Sequence, residues 1–144
     1  MSEPDVAFLR DFIRARRWAV AASASPAGAP QAALIGVAVT DQLELVFDTL
    51  STSRKATNLL ANARIAVVIG GWTDADPRTL QYEGVADFPS GQELERVRAV
   101  YFDAFPDGRD RLSWPAITHV RVTPTWLRLS DFTVDPPVIS ERHL

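Results

Sequence analysis

Apolar residues recur at helical spacing in the first segment, with Val6, Leu9, Phe12 and Ile13 on one side. Ser2 and Asp5 stand three apart, a capping-box pattern for its start. Arg10, Arg14, Arg16 and Arg17 fall largely on the other side and are expected as a solvated face near the helix C-terminus, where cations are favoured. From Trp18 the period changes. Trp18 to Ala24 is a β-compatible run ending at the turn signal Ser25-Pro26-Ala27-Gly28, and Gln31 to Thr40 is a second apolar run. Asp41-Gln42 can turn into Leu43 to Asp48, where Leu43, Leu45 and Phe47 alternate with Glu44, Val46 and Asp48. Strict alternation marks a strand with one buried face, and three such strands with short connections predict an antiparallel meander.

A second helix is predicted over Ser53 to Asn62, burying Ala56, Leu59, Leu60 and Ala63. Ile65 to Ile69 reads as a strand that Gly70-Gly71 ends, Trp72 to Arg78 as a loop, and Thr79 to Phe88 as the next strand. Ser90 and Glu93 form another capping-box pattern, opening a third helix with the stripe Leu94, Val97, Val100 and Tyr101. Phe105-Pro106-Asp107-Gly108 stops it, a mobile loop is expected to Pro115, and Ile117 to Leu129 is a long last strand. Pro124 within that strand implies a bend or an edge position. About six strands with three inserted helices predict a mainly β (α+β) fold, an antiparallel sheet or barrel with peripheral helices, not a doubly wound one.

The chain has 144 residues, enough for one domain with a single core, and neither a repeat nor a linker divides it. Its net charge of -3 gives no general attraction to nucleic acid or an anionic membrane, so any anion site must be local. The absence of cysteine excludes disulfides, thiolate metal sites and cysteine nucleophiles. No apolar run approaches the roughly 20 residues of a membrane span, and the acidic start does not read as a signal peptide, so the cytoplasm is the expected compartment. His119 and His143 lie far apart, without metal-ligand spacing, and are expected to be structural or solvent-exposed, so no metal is expected. Trp72 and Trp114 are expected as core or dimer contacts, while Trp126 could line a ring-binding pocket.

The chemistry concentrates in Phe47-Asp48-Thr49-Leu50-Ser51-Thr52-Ser53-Arg54-Lys55, where a strand ends, a hydroxyl-rich turn follows and a helix opens with two bases. Helix N-termini offer unpaired N–H groups and partial positive charge, so phosphate binds there. The dipole supplies only about 0.3–1 kcal/mol, whereas each hydrogen bond to a charged group supplies roughly 1.5–3 kcal/mol. The bases would therefore dominate. The alternative is that the hydroxyls only cap the helix and the bases are solvated. Against it stands the placement of positive charge in a first helical turn, where it opposes the dipole. The motif alone leaves both readings open.

Thr49, Ser53, Arg54 and Lys55, followed by Asn58-Leu59 and Asn62-Ala63-Arg64-Ile65-Ala66, resemble the flavin-phosphate segment of the pyridoxamine 5'-phosphate oxidase-like split barrels. Pro30 to Gly36 resembles the family strand along the isoalloxazine ring, Tyr82-Glu83-Gly84 the family's following strand, and Arg128-Leu129-Ser130-Asp131 its closing arginine motif. The resemblance implies a six-stranded antiparallel split barrel, homodimeric, spanning 1–144 as one domain, with FMN at the interface. It implies that Ser53, Arg54 and Lys55 hold the phosphate with Thr49, that Ala33, Leu34, Ile35 and Gly36 contact the ring through backbone groups, and that Thr79 reaches the partner's cofactor. Arg128 would face a small-molecule substrate. The departures bear on substrate: Ala33 and Ala38 stand where true pyridoxamine-phosphate oxidases have an arginine and a lysine, and Ser130 and Phe132 where they have a histidine and a second arginine. The expected function is an FMN-dependent oxidoreductase of unspecified substrate and unassigned catalytic residues. The alternatives are a deazaflavin-dependent reductase and a non-catalytic flavin-binding or stress-associated module.

Overall fold

A computed structural model describes residues 2–144. Helix α1 (Val6–Arg16) leads into β1 (Trp18–Ala24), β2 (Pro30–Gly36), β3 (Ala38–Val39) and β4 (Leu45–Leu50). After α2 (Arg54–Ala61) come β5 (Arg64–Gly70), β6 (Arg78–Asp87), α3 (Gly91–Ala104), a 3-10 helix (Pro106–Ser113), β7 (Ile117–Asp131) and β8 (Val138–His143). Every ladder is antiparallel, in the spatial order β2-β1-β5-β6-β7-β4-β3, with β8 also on β7. The two end strands of this path, β2 and β3, are separated in the chain by Val37 alone. One residue spans only about 3.5 Å, so the sheet must curl until its ends meet. The result is a split barrel, mainly β with peripheral helices. Among the described residues no helix is long and apolar enough to cross a membrane.

The curl decides which sequence patterns hold. Leu45, Phe47, Ile69, Leu80, Tyr82, Val120 and Leu127 are fully buried in the interior, joined by Leu9, Phe12 and Ile13 of α1. Val46 was expected outward with Glu44 and Asp48, but is fully buried. Helix α3 covers that outer surface, packing Val97, Tyr101, Phe102 and Phe105 against Ala38 and Val46. The meander is also revised. β2 pairs with β1 and only the two residues of β3 reach β4, because Val37 turns the chain from one end of the sheet to the other. Pro124 falls where one edge of β7 changes partner, from β4 at residues 117–122 to β8 at 126–131. That is the bend expected of it, and it lies opposite a register irregularity at Glu83/Gly84.

Local signals were shifted by tertiary contacts. Asp5, not Ser2, caps α1, accepting from the Phe8 N–H at 3.1 Å. Ser90 precedes α3 without a side-chain cap, and Glu93 engages Arg96 and Arg121 instead. Arg16 is not solvated: it lies over the Phe12 ring and pairs with Asp76. Arg17 donates to the Ala104 carbonyl at 2.9 Å. Leu60 is 69% exposed because α2 turns Asn58 inward in its place, where the amide donates to Ser23 Oγ at 3.1 Å. The expected mobile loop is a 3-10 helix, and β8 adds a strand where none was expected. Trp72 and Trp114 are about half exposed and are not core.

Tyr82 is buried at the barrel centre and its hydroxyl donates to the Leu43 carbonyl at 2.7 Å, with the Val122 carbonyl at 3.1 Å. A Tyr82→Phe substitution leaves the aromatic packing and removes that donor. It should lower unfolding free energy by about 1–2 kcal/mol in urea titration.

Candidate cofactor site

Strand β4 delivers Thr49, buried, to the end of the barrel, and four residues later Ser53 caps α2. Ser53 Oγ accepts from the Ala56 N–H at 3.1 Å, and its hydroxyl lies 2.9 Å from Thr49 Oγ1. Lys55 Nζ donates to Thr49 Oγ1 at 3.4 Å. Three of the expected phosphate residues therefore form one cluster at a helix N-terminus. Arg54 is beside them in the first turn and exposed, while Ser51 and Thr52 are exposed in the preceding turn.

The charge balance of this cluster follows from its neighbour Asp48. Asp48 is taken by Arg111 of the 3-10 helix, Nε to Oδ2 at 2.6 Å, with both side chains mostly covered. Arg111 also donates to the Tyr101 hydroxyl at 3.0 Å. Lys55 is thus left without a carboxylate at ion-pair distance among the described residues. Burial pulls its pKa below the ordinary lysine value, and the more distant Asp48 charge opposes that shift. A half-buried ammonium without a counterion favours an anionic ligand. Hydroxyl, N-terminal N–H and ammonium are the donor set that suits a phosphate.

The remaining expected residues lie on other elements. Ala33 to Gly36 sit in β2, the end strand of the sheet, whose far edge carries unpaired backbone groups. Gly36 has a separate reason to be glycine: a Cβ there would come within 2.8 Å of the Phe105 ring. Thr79 is opposite Gly70 and Ser130, and Arg128 opposite Gln81 and Glu141. Neither touches the Thr49–Lys55 cluster within one chain.

The register aligns Leu34, Thr79 and Arg128 on a common outer face, whereas Ala33 and Ile35 alternate to the inner one. One row runs Leu34, Val20, Val68, Gln81, Arg128, Glu141 across β2, β1, β5, β6, β7 and β8. The next runs Ala32, Ala22, Ala66, Glu83, Trp126, His143. The β2-β1-β5 half is apolar, with Leu34 67% and Val68 40% exposed, and the β6-β7-β8 half is polar. A groove of about 610 Å³ lies on this face, lined by Ala22, Ala66, Glu83 and Val85 among others. Sequence reasoning missed two supports of the cluster, Arg111 and the buried pair Asn58–Ser23. No local pattern marks either, since both contacts join residues more than 30 positions apart.

Residues 6–130 match the family model described as Pyridoxamine 5'-phosphate oxidase. No curated protein matches by sequence. Among solved structures, a heme binding protein from Mycobacterium smegmatis aligns with TM-score 0.81 and 18% identity over 99% of this chain. This chain spans only 60% of that protein's length. A conserved hypothetical protein from Mycobacterium tuberculosis aligns with TM-score 0.72 and 26% identity, covering 91% of this chain and 85% of its own. A pyridoxamine 5'-phosphate oxidase-related, FMN binding protein from Nostoc punctiforme PCC 73102 aligns with TM-score 0.68 and 12% identity, covering 96% and 94%. At such identities the first and third likenesses concern the fold alone.

Ser53 links the cap to the cluster, and two substitutions separate its roles. Ser53→Ala should lower unfolding free energy by about 1 kcal/mol, whereas Ser53→Asp, which keeps a cap acceptor, should stay within about 0.5 kcal/mol of the parent in the same urea titration.

Proposed function

Because the chain belongs to the pyridoxamine 5'-phosphate oxidase family, we propose that it is an FMN-binding flavoprotein and an oxidoreductase. The observation that carries this reading is Lys55, a half-buried cation whose nearest carboxylate, Asp48, is already paired to Arg111. Ser53, Thr49 and the α2 N–H groups complete an anion cradle beside it, and exposed Arg54 adds charge from the rim. The open edge of β2 at Ala33, Leu34, Ile35 and Gly36 offers backbone donors and acceptors to a flavin ring. When bound, FMN supplies hydride or electron transfer, and the chain's part is to hold, orient and shield it.

A second copy of the chain belongs to this reading. Leu34 and Val68 are exposed, with half-buried Val20 between them, in an apolar row on the same face as Thr79 and Arg128, and a twofold pairing of such faces would bury it. It would also bring one copy's Thr79 toward its partner's cofactor. Replacing Leu34 with Glu should convert a dimer into a monomer in sedimentation velocity. A parent protein that is already monomeric would remove this part of the proposal.

Heme is the competing ligand, since a structural neighbour binds it. FMN is favoured by the donor set at Ser53 and Lys55, and by the burial of His119, which keeps that imidazole from an external ligand. Titrating the purified protein with FMN and with heme, followed by flavin fluorescence and Soret absorbance, separates them. FMN should bind, and Lys55→Ala should raise its Kd roughly 10- to 100-fold, the loss of one hydrogen bond to a charged group. Heme binding without FMN uptake would overturn the reading. Turnover with NADH or NADPH separates an oxidoreductase from a non-catalytic flavin module.

Affinity should also fall with rising pH. Burial sets the Lys55 pKa below the usual lysine value, so its charge is lost earlier than that of a solvated lysine as pH increases. Comparing the pH dependence of FMN binding in the parent and in Lys55→Met isolates this loss.

A further inference from the structure

Arg128 stands where the resemblance places the family's closing arginine, and its charge is already paired, with two of its three guanidinium nitrogens on one carboxylate. Its Nε donates to Glu141 Oε1 at 2.9 Å, and a second guanidinium N–H reaches the same oxygen. Trp126 Nε1 donates to the other oxygen, Oε2, at 3.4 Å, and His143 Nε2 lies 3.8 Å from Oε2. The guanidinium also sits 5.6 Å from the Trp126 ring centroid. These contacts are fixed by the β7–β8 ladder, in which Arg128 faces Glu141 and Trp126 faces His143 over a six-residue pairing. Glu141 is therefore held by a paired strand, not by a loose tail. Arg128 and Trp126 keep its carboxyl below the ordinary carboxylate range, so it stays ionised. The adjacent row adds Glu83 opposite Trp126. Arg64 lines the same groove as Glu83, so Glu83 and Glu141 are balanced by Arg64 and Arg128 and this part of the face carries no surplus positive charge.

We propose that Glu141 is a specificity determinant: by neutralising Arg128 it makes this wall of the site a poor receptor for phosphate esters and leaves it to an uncharged substrate. Two sequence departures agree with this. Ala33 and Ala38 stand where the resemblance would place an arginine and a lysine. An anion approaching Arg128 would have to displace Glu141 and leave its carboxylate unpaired, or endure its repulsion. The word substrate rests on the flavin reading, but the charge argument does not.

The test uses pyridoxine 5'-phosphate as probe and pyridoxine as its uncharged control, by calorimetry on protein saturated with FMN. The parent should bind the phosphate ester no tighter than pyridoxine, and Arg128→Gln should leave both unchanged. Glu141→Gln should raise affinity for the phosphate ester by about 10-fold or more, the effect of one charged hydrogen bond, with pyridoxine unchanged. The double variant should lose the gain. A parent that binds the ester tightly through Arg128, seen as a tenfold loss in Arg128→Gln, overturns the proposal, and this comparison stands even where Glu141→Gln fails to fold. A folded Glu141→Gln without gain overturns it too. If FMN does not bind, flavin fluorescence reports that failure separately, and the variants are compared without it, since Lys55 is common to all.

Discussion

The single residue between β2 and β3 constrains everything else in this molecule. Because Val37 must join strands at opposite ends of the sheet path, the sheet closes on itself, and its N–H is fixed by the Arg17 carbonyl at 2.7 Å. Closure creates an interior large enough for Phe47 and Tyr82, and each fully buried side chain of that size contributes roughly 1.5–3 kcal/mol. It also leaves β2 at the lip of the barrel, with one edge unpaired. That open edge is thus a consequence of how the barrel closes.

A second consequence concerns charge. α3 and the 3-10 helix pack on the outside of β3 and β4, and this brings Arg111 onto Asp48. That pairing sequesters the carboxylate nearest Lys55. An isolated strand–turn–helix with the same sequence would leave Asp48 and Lys55 free to neutralise each other through solvent. The unpaired state of Lys55 therefore depends on a residue more than fifty positions away.

The outer face shows a division of labour that follows from strand alternation. Its apolar half, around Leu34 and Val68, and its polar half, around Arg128 and Trp126, are brought into line only by the ladder registers. A slip of one residue in any ladder would send these side chains inward and break both surfaces. Gly84, where a Cβ would meet the Thr123 carbonyl at 2.4 Å, lets β6 and β7 approach at the irregularity that preserves this alignment.

Read alone, the sequence determines the helices through their periodicity, most strand cores through alternation, the turns at Gly28 and Gly70, and the Ser53–Lys55 cluster, because each depends on residues within a few positions of one another. The hydroxyl-rich turn before α2 offered caps without saying which, and Ser53 takes the role, while the patterns at Ser2 and Ser90 failed because neighbouring acceptors and the arginines of other elements compete. The burial of Val46, the exposure of Leu60, the structured 3-10 helix, strand β8 and the capture of Arg128 by Glu141 were decided only by the tertiary structure. Each is set by which surface another part of the chain happens to cover, and such long-range pairing leaves no periodic trace along the sequence.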